Sequence, residues 1–99
     1  MVKEIRWSDN AVEEYNLIID YLIRNWSEVI AARFIDRVEH KLRLIASQSY
    51  IGISSEKAEN IRSTLITEHN RLYRRIVSEE IIEIANIFDT RQDPAKNKF

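Results

Sequence analysis

Residues 69–75 read HNRLYRR, and four of the seven can carry positive charge: His69, Arg71, Arg74 and Arg75. Arg62 precedes this run and Arg91 follows it. An arginine side chain ends in a planar fork of donors that meets a phosphate or a carboxylate with two parallel charged hydrogen bonds. A cluster of such forks suits the grip of a phosphate chain or of an acidic protein surface. The same arginines also admit a plainer state, lying along a sheet and pairing with Glu68, Glu79 and Glu83. His69 has the only ring in the run whose ordinary pKa suits proton transfer near neutrality. It falls in a predicted turn, where a histidine is solvated. His40, the other histidine, is too distant in sequence for a local metal motif. With no cysteine and a single glycine, Gly52, the chain offers neither a thiolate metal site nor a glycine-rich phosphate loop. Neither a metal nor any other cofactor is expected.

The elements that must carry these residues are legible from periodicity. Residues 2–7 form a short strand with Ile5 and Trp7 on one face. Ser8, Asp9 and Asn10 offer N-caps for a helix in which Ala11, Tyr15, Ile18, Leu22 and Trp26 recur at steps of three and four. Ser27 can cap a second helix carrying Ile30, Phe34, Val38, Leu42 and Ile45, so the two helices should be antiparallel neighbours. Along this second helix Arg33, Arg37 and Lys41 form a cationic stripe, read as a solvated face. Residues 47–60 show no clean period and read as a loop, ordered in part by Tyr50 and Ile51. Three strands follow, around 61–66, 71–77 and 81–88. In the last, Ile82, Ile84 and Phe88 are expected on one face and Ile81, Ala85 and Ile87 on the other, marking a central strand.

The expected fold is therefore α+β in the order β-α-α-β-β-β, a single domain over residues 1–99. The N-terminal helical hairpin packs on one face of a small antiparallel sheet, since each must bury an apolar surface. The far face of the sheet is expected to be free. Alternation places Arg71, Tyr73 and Arg75 on one side of their strand and Leu72, Arg74 and Ile76 on the other. A slight curl would gather Arg62, arginines of the 71–75 strand and Arg91 around one concavity. Trp7 and Trp26 are expected to cap the core between helices and sheet, with an interface as the alternative for Trp26.

Bulk properties limit the partners. The net charge is −1, 44% of residues are hydrophobic and 31% are charged, as in an ordinary globular chain. No apolar run is long enough to span a membrane, and residues 1–7 lack the apolar stretch of a secretory signal, which fits a cytoplasmic protein. Residues 1–60 hold 8 basic and 10 acidic side chains, and residues 61–99 hold 7 and 6. A protein that docks mainly on nucleic-acid phosphates should carry a clear positive excess; this one does not.

The element order, Trp7-Ser8 opening the first helix, the helix-end pattern YLIRNWS and the run HNRLYRRIVSEEIIEIANIFDTRQDP resemble the RelE/ParE family of bacterial type II toxins. The long helical hairpin is more similar to the ParE branch. The resemblance implies a cytoplasmic toxin neutralised by a cognate antitoxin whose flexible segment wraps helices and sheet. ParE-like members with known targets bind DNA gyrase, whereas RelE-like members cut mRNA on the ribosome. Matched to the nuclease pattern, Arg62, Arg71 and Arg91 would stabilise the phosphate. Two positions depart from it: Thr64 stands where a second basic residue is frequent, and Asn97 stands near the place of a proton-transferring tyrosine. The resemblance and the charge balance together favour a protein-binding toxin, with Arg62, Arg71, Tyr73, Arg75 and Arg91 as antitoxin- or target-binding residues. The alternatives are a ribosome-dependent mRNA endonuclease and an inactive relative that only binds antitoxin.

Overall fold

The computed structural model describes residues 3–91, 94–97 and 99. Strand β1 (Glu4–Trp7) leads into helix α1 (Asp9–Asn25) and helix α2 (Glu28–Ser47). Strands β2 (Ile53–Ser54), β3 (Ile61–Leu65), β4 (Asn70–Ile76) and β5 (Ile81–Asp89) follow, and a single 3-10 turn spans Pro94–Lys96. The sheet order is β1-β5-β4-β3-β2. Strands β3 to β5 are antiparallel as expected, β2 adds a further antiparallel strand inside the stretch read as loop, and β1 joins parallel to β5, so the sheet is mixed rather than purely antiparallel. The parallel edge follows from the hairpin: two antiparallel helices return the chain to its starting end, and β5 then runs alongside β1.

Both helices start on the serines that sequence singles out. Ser8 Oγ accepts the amide of Ala11 at 3.0 Å, and Ser27 Oγ accepts that of Ile30 at 3.2 Å. These bonds satisfy donors that a helix N-terminus otherwise leaves open. The buried faces of the helices meet the sheet. Ala11, Phe34, Val38 and Ile45 pack with Ile66, Leu72, Ile82, Ile84 and Ile87 in one core. Trp7 is half-buried at its margin, its ring 5.1 Å from that of Tyr15. Trp26 is 69% exposed and caps nothing, so of the two readings offered for it the core one is corrected.

The facing of β5 is also corrected. Ile82, Ile84 and Ile87 point to the helices, whereas Phe88 joins Ile61 and Tyr73 on the opposite face. The cause is a bulge: Tyr73 pairs with Asn86 and Arg74 with Ile84, leaving Ala85 as an extra residue. One inserted residue reverses the alternation beyond it. The bulged carbonyl is held by Ser8 Oγ at 3.1 Å and Asn10 Nδ2 at 3.3 Å, so the start of α1 fixes the irregularity.

The loop between α2 and β3 is ordered by arginines. Arg74 is fully buried beneath it, with Nε and Nη2 donating to the carbonyl of Ser49 at 3.3 and 2.9 Å, and Nη2 also to that of Ile51. Gly52 lets the loop cross β3 closely. Its φ is +89°, and a Cβ there would stand 2.2 Å from the Ser63 carbonyl oxygen, so no other residue fits.

Candidate functional site

The arginines expected around one concavity, with Tyr73 named beside them as a binding residue, are divided by the sheet into three places. Arg71, Tyr73 and Arg75 do share the face turned away from the helices, as alternation requires. There Arg71 Nη1 donates to Ser63 Oγ at 3.0 Å, and Arg75 lies 3.7 Å from Glu83. Arg62 is on the other face. Its register partner is Arg74, its Nη1 donates to the Tyr50 carbonyl at 3.0 Å, and its guanidinium lies 5.4 Å from the centre of the Tyr50 ring. Strand alternation explains this, because Arg62 lies between Ile61 and Ser63, which both face away from the helices.

Arg91 is separate again. It follows β5 and folds onto Asp89 through two bonds of 3.0 and 2.8 Å. Those bonds hold the Asp89 carboxyl below its ordinary pKa and raise that of the guanidinium. From there Arg91 lines the end of a groove between α1, α2 and the β3–β4 turn. His69 sits in that turn as expected, beside Glu68 at 3.2 Å. The turn is closed by Thr67, whose hydroxyl donates to Asn70 Oδ1 at 2.8 Å and accepts the amides of His69 and Asn70.

The groove comprises two adjoining cavities of about 350 and 430 Å³ that share Tyr21, Leu22, Asn70 and Arg91. Trp26, Ile30 and Phe34 supply its apolar floor, Arg33 and Arg37 add a cationic rim, and the His69 ring lies beside them. Arg33 and Arg37 are exposed, as a solvated stripe would be, and they edge this groove. Sequence reasoning missed this assembly, although its parts were visible: a tryptophan at the tip of the hairpin, and two arginines one turn apart on the following helix. The guanidinium groups of Arg33 and Arg37 lie at the Trp26 end of this groove, and the carboxylates Glu14 and Asp89 line its other part, so an amphipathic segment with an acidic flank suits the Trp26 end.

The face carrying Arg71, Tyr73 and Arg75 is not free, contrary to expectation. Tyr73 is buried, because Asn97 and Phe99 fold back over it. Alternation alone could have flagged Arg74, which shares a side with Leu72 and Ile76 and hence faces the core. Burial pushes its pKa down to about 10, with the charge of Arg62 adding to the effect, so it stays cationic at neutral pH. Among the described residues, no group of three His, Asp or Glu side chains is placed to hold a metal ion.

Comparison with known proteins decides the family. The ParE toxin of the type II toxin–antitoxin system parDE is described by a family model that matches residues 5–94. The chain belongs to the ParE toxin family. No curated protein sequence matches it. Among solved structures, this ParE-family chain is similar to one from the chromosomal ParDE toxin–antitoxin system of P. aeruginosa. The identity is 15%, the TM-score 0.73, and the match covers 89% of this chain and 96% of that one. A YoeB/ParE toxin from Agrobacterium tumefaciens shares 15% identity at a TM-score of 0.62, over 87% and 96% of the two chains. A chain of the E. coli DinJ–YafQ toxin–antitoxin complex shares 7% identity at a TM-score of 0.62, over 92% and 96%. At these identities the structural likenesses speak to the fold, and the fold is that of the RelE/ParE toxins. The chain is accordingly a toxin of a type II toxin–antitoxin system. No helix among the described residues is long and apolar enough to cross a membrane.

Proposed function

We propose that this ParE-family toxin acts in the cytoplasm by binding a protein target of the DNA gyrase kind, without cutting RNA, and that a cognate antitoxin silences it. The observation carrying the first part is the dispersal of the three arginines on which an endonuclease would rely. Arg62 is spent on the Tyr50 carbonyl on the helix side. Arg71 lies on the opposite face, and Arg91 is closed onto Asp89. Transesterification at a phosphate needs its cations and proton carriers converging within hydrogen-bond reach of one reacting group. This arrangement argues against such convergence, and the net charge of −1 argues against docking among ribosomal RNA.

For the antitoxin, the groove at Trp26 and Arg91 is the favoured seat. It joins apolar area to the cationic charge of Arg33 and Arg37, which have no salt-bridge partner among the described residues, and the similar P. aeruginosa chain comes from a ParDE system. Induced expression in bacteria tests the function. DNA-damage signalling and filamentous growth are expected, with translation intact at the onset of arrest. Co-expression of the antitoxin encoded beside the gene should restore division. Cleavage of message by the purified chain on programmed ribosomes would replace this reading with the nuclease one, and growth without any defect would leave an inactive antitoxin-binding relative.

A further inference from the structure

Among the described residues, two side-chain polar atoms are shut away from solvent without a hydrogen-bond partner, Arg74 Nη1 and Thr64 Oγ1. The register makes them neighbours. Thr64 stands opposite Leu72 and Arg62 opposite Arg74, so Thr64 and Arg74 are diagonal to each other on the helix-facing side of β3 and β4. A long side chain spans that diagonal. Both also lie against one stretch of the loop above them. Arg74 Nη2 donates to the Ile51 carbonyl, and Thr64 Cγ2 lies 2.6 Å from the place a Cβ on Gly52 would take. Buried polar groups in folded proteins are nearly always satisfied, and an open pair at one spot marks a place where something binds.

The charge at this spot is one-sided. Arg74 is fully buried, and Arg62 is its cross-strand partner on the same side. Like charges directly opposite each other on a sheet repel. Among the described residues, no carboxylate stands within ion-pair distance of either. The chain answers the two guanidinium groups with the carbonyls of Ser49, Tyr50 and Ile51, which are dipoles and carry no net charge. A buried water would satisfy the two open atoms and leave the positive charge uncompensated. An anion does both, taking the Arg74 N–H and the Thr64 hydroxyl as donors. We propose that Arg74 and Thr64 form the floor of a binding site for one small monovalent anion of the chloride class, roofed by the loop that Gly52 brings across β3. The close crossing at Gly52 favours an ion of that size over a bulky oxyanion such as phosphate. The site is separate from the groove at Trp26 and does not depend on the proposed function.

The test is thermal unfolding of the intact chain while gluconate, too large for the site, is replaced by chloride. Ionic strength stays at about 0.3 M, so charge screening is constant. An ion that binds only the folded state raises the melting temperature as its concentration grows. A rise of about 5 °C is expected for the parent. Thr64→Val keeps the shape and removes the hydroxyl, so it should lose most of that rise, whereas Thr64→Ser should keep most of it. Arg43→Ala removes an exposed cation on α2 and should respond as the parent does. A parent melting at the same temperature in both salts, or a Thr64→Val rise equal to the parent's, would overturn the proposal. If Thr64→Val does not fold, crystals of the parent soaked in bromide decide the matter. An anomalous peak beneath Gly52 in contact with Arg74 Nη1 supports the site; a water in that place, or no peak, counts against it.

Discussion

Arg74 is the residue on which the loop before β3 depends. A guanidinium buried without a carboxylate is stabilised here by carbonyl dipoles alone, those of Ser49 and Ile51. Replacing it with methionine keeps much of the volume, removes a desolvated charge and orphans two acceptors. An unsatisfied buried acceptor costs about 1–3 kcal/mol, partly offset by the lost charge burial. Arg74→Met should therefore lower stability by about 2 kcal/mol in urea denaturation and expose residues 48–52 to protease. Unchanged stability would mean that water replaces the guanidinium freely. Strand alternation reveals which side of β4 this arginine faces, and likewise those of Arg71 and Arg75. It cannot reveal that the bound groups are loop carbonyls, because loop conformation leaves no period in a sequence. Arg62 and Arg91 were misgrouped for a related reason: a count of positive charges along the chain ignores which face each occupies.

Elements were the most legible scale, and their caps show why. Ser8 and Ser27 each begin a helix, yet they differ in load. Ser27 accepts one amide, while Ser8 also donates to the bulged Ala85 carbonyl and so ties α1 to β5. Ser27→Ala should cost about 1 kcal/mol and Ser8→Ala about 2 kcal/mol, the excess reflecting the lost bond to the Ala85 carbonyl, which keeps only Asn10 Nδ2. Equal losses in paired denaturation curves would show that the bond to Ala85 contributes nothing. Helix periods, turn residues and the existence of β3, β4 and β5 could all be read because each rests on local spacing. The bulge could not, since its cause lies 77 residues away in Ser8. Phe88 was consequently assigned to the wrong side. The two-residue strand β2 was likewise hidden in a stretch without alternation, where only Gly52 hinted at a close approach.

For the whole molecule, surfaces matter more than cores. Trp26 and Arg91 contribute little to the folded state, one being highly exposed and the other lying at the surface beside Asp89. Under the proposed function both belong to the antitoxin seat. Alanine at either position should leave the melting temperature near that of the parent and weaken the complex about tenfold or more, as calorimetry would read. An unchanged dissociation constant would remove that residue from the interface. The architecture has one more implication, which follows from the parallel pairing of β1 with β5. The strand at the start of the chain has no partner until residues 81–89 exist, so ordering it requires a closure across most of the polypeptide. Such non-local topology slows folding. During synthesis the growing toxin cannot assemble its sheet before its last strand leaves the ribosome. The cell thus gains an interval, set by translation and folding, in which a neighbouring antitoxin can already be waiting.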